Sequence, residues 1–458
     1  MQPELLAGLD VGTTSVKALL VTPDGSEVAL GRAPTTWSAT AFGAETTAES
    51  IVDAARVALA DALDRAPGHR VVALGVASMA ESGVLVGPDD EPLAPVIAWH
   101  DHRDEDQLQD LVAEIGGARF SVRTGLPLWT QWSLTKHRWL VDHVPAARTA
   151  VRRYNVAEWV ARRLGADPVT ELSLASRTGW LDLSTGQPWN ETMTWSGASE
   201  TLLRDVVPAG TPIGTARTGG GLERLDGATL TVAGHDHQAA VVGVGSSGAG
   251  DEFDSCGTAE AIVRTIAPGL EPSAITTLTR VGVTVGWHAI RDRWCLLGAT
   301  QGGLILGRVQ AALGVDADGL ADLDAAALTA ADDPSVLEIS DTADVTVAAG
   351  ADPGAVWRAA TWTVAEQARA LEESLDSAAG PRRELVVAGG WTNSAAVMAA
   401  KADVFGPLRR ASTTEAGARG AAFLAGLAHG TYGSYDDIPN GARPDTAREL
   451  QATTDHSL

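Results

Sequence analysis

Apolar residues in the first part of the chain fall into short runs separated by turn residues, with the two-residue period of half-buried strands. The pattern predicts a strand over 5–10, a Gly/Thr turn, a strand over 15–21, a turn at "TPDGS" and a strand over 27–32. This is a meander rather than a strand-helix-strand unit. A helix is predicted from Thr46 to Arg65, where "TTAE" offers a capping box closed by Glu49 and Ile, Val, Ala and Leu recur at helical spacing. "RVVALGVASM" returns to strand. "LAPVIAWHDHRDEDQLQDLVAEI" reads as a strand running through an acidic, His-containing loop into a helix, and "SLTKHRWLVDHV" and "NVAEWVARRL" as two further helices. Polar groups therefore collect at strand ends, where open α/β sheets bind ligands.

Near Leu230 the pattern restarts. "TLTVAGHDHQAAVVGVG" is a strand, a polar turn and a helix of small residues. "DEFDSCGTAEAIVRTI" again sets an acid and a Gly-Thr pair between two strands, so Asp254, Gly257 and Thr258 loosely parallel Asp10, Gly12 and Thr13. With 458 residues the chain exceeds the roughly 250 to 300 at which a single core stops growing. Two α/β domains are expected, 1–227 and 228–458, with a cleft between them and a polar, frayed tail after about Pro444.

Composition narrows the function. A formal charge of −24 argues against nucleic acid and anionic membranes as partners, since both reward basic patches. A nucleotide stays admissible, because oriented amides, helix N-termini and Mg²⁺ supply positive potential locally. No apolar run is long enough to span a bilayer and the N-terminus has no signal-peptide pattern, so a cytoplasmic location is expected. Cys256 and Cys295 lie outside any metal-binding spacing and read as small buried hydrophobes.

A turn containing Gly12, Thr13, Thr14 and Ser15 can aim successive amides and hydroxyls into one concavity, which is how a backbone nest holds phosphate. Asp10 at the strand end can hold Mg²⁺ through water, and Lys17 adds positive charge. Alone, such a turn is more often an ordinary hairpin, since Gly and Thr are common turn residues. Three companions point instead to a nucleotide: the second turn at Gly257 and Thr258, the strand "LVVAGGWTN" delivering Gly389 and Gly390 to a helix start near Asn393, and "TEAGARGAAFLAG", a Gly/Ala helix able to pack close behind such a site.

The ordered set "DVGTTSVK", "PVIAWHDHR", "TGLPLWTQWSLTK", "AGHDHQAAVVGVG", "GTAEA", "VVAGGWTN" and "TEAGARGAAFLAG" resembles the FGGY family of carbohydrate kinases. The resemblance implies a two-domain actin-like ATPase fold, ribonuclease H-like, with a central cleft. It implies transfer of the γ-phosphate of Mg-ATP to a sugar or polyol hydroxyl, with substrate mainly in the first half and nucleotide, including Gly302, mainly in the second. Asp236 matches the family's catalytic aspartate and is the expected general base, with Asp10 and Asp236 the expected Mg²⁺ contacts. On spacing alone a helix N-cap is the commoner role for such an aspartate, and the ordered family resemblance reverses that ranking.

His237 stands where relatives often carry an amide that touches substrate, whereas His235 is expected to satisfy a loop carbonyl. Glu81 falls where glycerol kinases carry a substrate-binding glutamate and xylulokinases a histidine, and Ala80 replaces the arginine of the former, which argues against glycerol. Trp99, Asp101 and Arg103 match the family's W-x-D-x-R, and Gln131 stands at a tyrosine of glycerol kinases, flanked by Trp129 and Trp132. Glu81, Trp99, Asp101, Gln131, Asp236 and His237 are thus the expected substrate contacts.

The expected acceptor is a ketopentose such as xylulose. The alternatives are another polyol, a deoxy-ketose, or an aldonate drawn by Arg103 or Lys136. From other classes come an actin-like ATPase switch and a sugar sensor. A homodimer is the expected assembly.

Overall fold

The computed structural model describes residues 3–257 and 259–439. Along the chain, β1 (Glu4–Val11), β2 (Ser15–Val21) and β3 (Glu27–Pro34) precede α1 (Ala48–Arg65) and β4 (Arg70–Ser78). After α2 (Ser133–His143) and α3 (Val156–Arg163) come β5 (Thr229–His235) and α4 (Asp236–Gly243). The pair β6 (Asp251–Cys256) and β7 (Glu260–Ile266) leads to α5 (Gly302–Ala312) and α6 (Pro353–Ala379). The chain continues through β8 (Glu384–Ala388), α7 (Ala395–Phe405), β9 (Arg409–Arg410) and α8 (Ala416–His429). No helix among the described residues is long and apolar enough to cross a membrane.

Among the described residues two compact units emerge, one of residues 3–249, 265–296 and 415–439, the other of 250–257, 259–264 and 297–414. In the first, the sheet order is β5-β4-β1-β2-β3, with β1 antiparallel to β2 and parallel to β4. The division expected at 227/228 cuts this sheet, because β5 pairs in parallel with β4. The backbone hydrogen bonds of β5 thus carry Asp236 into the first unit, and the compact unit runs on to Ala249. The tail after Pro444 lies outside the described residues.

Local chemistry explains the elements. α1 starts at Thr47, whose side chain accepts from Ser50 N at 3.1 Å. The cap thus falls one residue later than the sequence pattern predicts, and Glu49 plays no part in a box with it. Its buried face, Ile51, Ala55, Ala58, Leu59 and Ala62, seals one side of the sheet in a core that also takes Leu5, Leu9, Leu74 and Trp159. α8 seals the other side at very short range. A Cβ on Gly420 would stand 1.7 Å from Ala239 O of α4, so only glycine admits this approach.

The second unit repeats the design: β6 is antiparallel to β7 and parallel to β8, which is parallel to β9. Its own core gathers Trp357, Val356, Leu323, Ile305 and Val397 from α5, α6, α7 and a neighbouring helix. Cys256 and Cys295 are both buried and free.

Candidate active site

β1 delivers Asp10 to the edge of its turn. Gly12 N donates to Ser15 O at 3.1 Å. From outside, Thr35 Oγ1 donates to Gly12 O at 2.8 Å, Trp37 Nε1 to Thr13 O at 2.8 Å and Thr35 N to Thr14 O at 3.1 Å. A trans peptide points its N–H opposite its C=O, so the amides of Thr13, Thr14 and Ser15 face away from these buttresses as a nest requires. The Thr13 hydroxyl is otherwise engaged: it accepts from Trp99 Nε1 at 2.8 Å. Lys17 is also engaged, its ammonium 2.9 Å from Glu415 Oε2, while Arg32 pairs with the other oxygen of the same carboxylate.

Asp10 Oδ1 is buried without a hydrogen-bond partner. Burial, reinforced by the nearby Asp236 charge and only partly offset by Lys17, pushes its carboxyl up to about 7. Asp236 opens α4. Its Oδ1 accepts from His237 N at 2.6 Å and His237 Nδ1 at 2.8 Å, with His235 Nε2 at 3.1 Å. Burial alone would raise this carboxyl, but the His237 and His235 imidazoles and the His237 hydrogen bonds hold it below the usual range. His235 therefore faces Asp236 rather than a loop carbonyl. The two acids share one backing, since a Cβ on Gly417 of α8 would lie 2.7 Å from Asp10 Oδ2 and 3.6 Å from Asp236 O. The Gly/Ala helix thus stands behind the carboxylates of the first unit.

Beside Asp236 lies a polar cluster that includes one residue sequence reasoning missed. Glu81 is 4% exposed with a left-handed backbone, φ 66°, a conformation costly for a side chain with a Cβ. Three contacts hold it there: Arg177 Nε donates to Oε1 at 2.5 Å, while Arg153 Nη2 (2.6 Å) and Ser133 Oγ (2.8 Å) donate to its carbonyl. Burial raises the Glu81 carboxyl and Arg177 opposes that rise, as does a Gln131 hydrogen bond. Arg177 is itself buried, donates from Nη1 to Thr284 Oγ1 at 3.0 Å and sits 5.5 Å from the Trp132 ring centroid. A guanidinium therefore accompanies Glu81 even though Ala80 replaces the adjacent one.

Asp101 is spent inside the protein. It accepts from Ala44 N at 2.6 Å and from Arg103 N, Nε and Nη2, each at 2.9 Å, so both of its oxygens hold the Trp99 loop. Arg103 also pairs with Glu45. Lys136 Nζ donates to Asp101 O at 2.8 Å, Asp104 Oδ1 at 3.1 Å and Thr130 O, which uses all three of its protons. Both cations are thus committed to partners within the protein.

In the second unit, Gly257 follows β6 in the turn to β7, and Thr258 lies outside the described residues. Asp254 differs from Asp10 in being neutralised: Lys401 Nζ donates to Asp254 Oδ2 at 2.5 Å and to Glu260. Gly302 opens α5, where a Cβ would come within 2.7 Å of Glu260 Oε2. Gly389 has φ 117° and no room for a Cβ beside Cys256 O, while nothing lies within 4 Å of one at Gly390. The helix start predicted near Asn393 falls later, at Ala395 with Ser394 as cap; Asn393 ends a preceding 3-10 turn, its Oδ1 accepting from Arg410 Nη2 at 2.5 Å.

An α/β chain in which an acid-ended strand, a glycine turn and a returning strand occur twice has the two-domain fold of actin-like ATPases. The structure of xylulose kinase from Rhodospirillum rubrum superposes with a TM-score of 0.83 at 24% identity, covering 95% of this chain and 92% of that one. Residues 5–243 match the FGGY family of carbohydrate kinases, N-terminal domain, and 337–429 its C-terminal domain. The chain belongs to the FGGY family of carbohydrate kinases and is a phosphotransferase with an alcohol group as acceptor, ATP being the family's phosphate donor.

It is 28% identical to a glycerol kinase of Pseudarthrobacter chlorophenolicus over 98% of this chain and 94% of that protein. It is 31% identical to a xylulose kinase of Streptomyces rubiginosus over 68% and 63% respectively.

Proposed function

We propose that this kinase phosphorylates a neutral polyol or ketose, with Asp236 as the base that receives the hydroxyl proton. One observation carries the reading: both flanking imidazoles and the His237 amide converge on Asp236 Oδ1. That fixes the carboxylate and leaves Oδ2 as the oxygen assigned to the incoming hydroxyl. Keeping Asp236 ionised suits a base for an alcohol whose proton departs as the bond to phosphorus forms.

Asp10 and Asp236 offer hard carboxylate oxygens, and the buried, unpartnered Asp10 Oδ1 fits Mg²⁺ or one of its waters. When bound, Mg²⁺ supplies charge neutralisation on the phosphate oxygens. The amides of Thr13, Thr14 and Ser15, with Gly12 allowing the tight turn, are assigned to phosphate. From the second unit, Gly257, Thr258, Gly302, Gly389, Gly390 and Asn393 are assigned to the nucleotide. Glu81, Gln131, His237 and the Trp99 ring are assigned to the acceptor, with Asp101 positioning the Trp99 loop.

A ketopentose such as xylulose is the first reading. Glycerol is the second, favoured by the Glu81 and Arg177 pair, which returns a guanidinium to the side chain that Ala80 leaves without one. Mg-ATP turnover on glycerol, D-xylulose, xylitol and gluconate, followed as ADP release, tests the proposal. Turnover of a neutral acceptor is expected. Exclusive use of gluconate, or no turnover of any acceptor, overturns it.

A further inference from the structure

Next to the acceptor residues of the first unit lies a cavity of about 530 Å³, bounded by Trp99, His100, His102, Glu105, Trp129 and Gln131 among others. Its size falls within the roughly 300 to 1,000 Å³ of small-molecule sites and exceeds what a three-carbon triol fills. Two of its walls belong to the acceptor site already described: Gln131 bonds to Glu81, and Trp99 is anchored on Thr13.

Trp129 is 41% exposed, yet it is held in place. Its ring stacks on that of Trp132 at 6.0 Å and 15°, and Trp132 is itself fully buried with Nε1 donating to Pro127 O at 2.6 Å. Beneath it Gly282, with φ 83°, leaves space that a Cβ would invade to 3.1 Å from the Trp129 ring. An indole fixed on a buried partner loses little entropy on binding and offers an apolar face to the C–H groups of a sugar chain. Around it His102 Nδ1 and Thr130 Oγ1 form a polar rim, 2.8 Å apart. The residues lining the cavity include no Lys or Arg and a single carboxylate, Glu105, so an anionic guest finds no counter-charge.

Building on the reading above, we propose that this cavity binds the part of a neutral carbohydrate acceptor distal to the phosphorylated hydroxyl, with Trp129 as its platform. It thereby selects acceptors of five or more carbons over glycerol.

The test compares full-length wild type, Trp129→Ala and Trp129→Phe on glycerol, xylitol and D-xylulose, with melting curves to verify folding. The five-carbon to three-carbon ratio of kcat/KM is expected to fall about tenfold in Trp129→Ala and to be mostly kept in Trp129→Phe. An unchanged ratio in Trp129→Ala overturns the subsite while leaving the kinase reading intact. If no acceptor is phosphorylated, the kinase reading fails and calorimetric titration with xylitol decides the subsite: about tenfold weaker binding to Trp129→Ala supports it, and equal binding or none to wild type overturns it.

Discussion

Replacing Arg177 with methionine keeps most of the side-chain volume and deletes the guanidinium. In the folded protein that group lies 2.5 Å from Glu81 Oε1, with the two side chains 7% and 3% exposed. Removing one partner of a buried pair strands the other, at a cost of about 3 to 5 kcal/mol. Glu81 can escape part of this cost by taking up a proton, because burial already raises its carboxyl and Arg177 is the main opposing influence. A loss near 3 kcal/mol is therefore the working figure. The first unit has roughly 300 residues, and at about 2.1 cal/mol/K of unfolding entropy per residue this loss lowers Tm by about 5 °C. Differential scanning calorimetry reads the shift. The double variant Arg177→Met with Glu81→Gln should recover at least about 1 kcal/mol, since it leaves no stranded charge. A Tm within 1 °C of wild type, or a double variant whose loss is the plain sum of the two, would refute the pairing argument.

Two further outcomes follow from the site and its backing. A carboxyl whose pKa is raised in the folded state contributes stability that is complete below its unfolded value and is lost as pH rises through the folded one. For Asp10 that window runs from about 3.8 to about 7. Asp10→Asn, melted with chelator present, should match wild type near pH 4 and exceed it at pH 8, by at most about 4 kcal/mol at 1.4 per unit; a pH-independent difference would contradict the burial of Asp10. Gly420→Ala forces a Cβ to within 1.7 Å of Ala239 O, so α8 must shift from α4. The expected loss is about 2 to 4 kcal/mol by chemical denaturation, and less than 0.5 kcal/mol would show that the helices are not so closely packed.

What could be read from the chain was local. The antiparallel meander, α1, and the junction of β5 with α4 that carries Asp236 all follow from period, turn residues and small side chains within a dozen positions. Arg177 escaped notice because it reaches Glu81 across 96 positions, and no spacing rule links "ASRTG" to "MAESG". The composition of α8 announced close packing without saying against which strand, and contacts with β1, β4 and α4 decide that. The domain boundary was misplaced for a related reason: the pattern does restart near Leu230, but β5 still completes the first sheet. The carboxylate of Asp101 looked available because its partners include the backbone amide of Ala44, a long-range contact that leaves no mark in the sequence.

The role proposed for Asp236 is to take the proton from the acceptor hydroxyl. Pre-steady-state measurement of phosphoryl transfer by Asp236→Asn, set beside its affinity for the acceptor, bears on it most directly. The expected rate is lowered roughly 10² to 10⁴-fold, with acceptor affinity changed only a few fold. A transfer rate within tenfold of the wild-type value would contradict it.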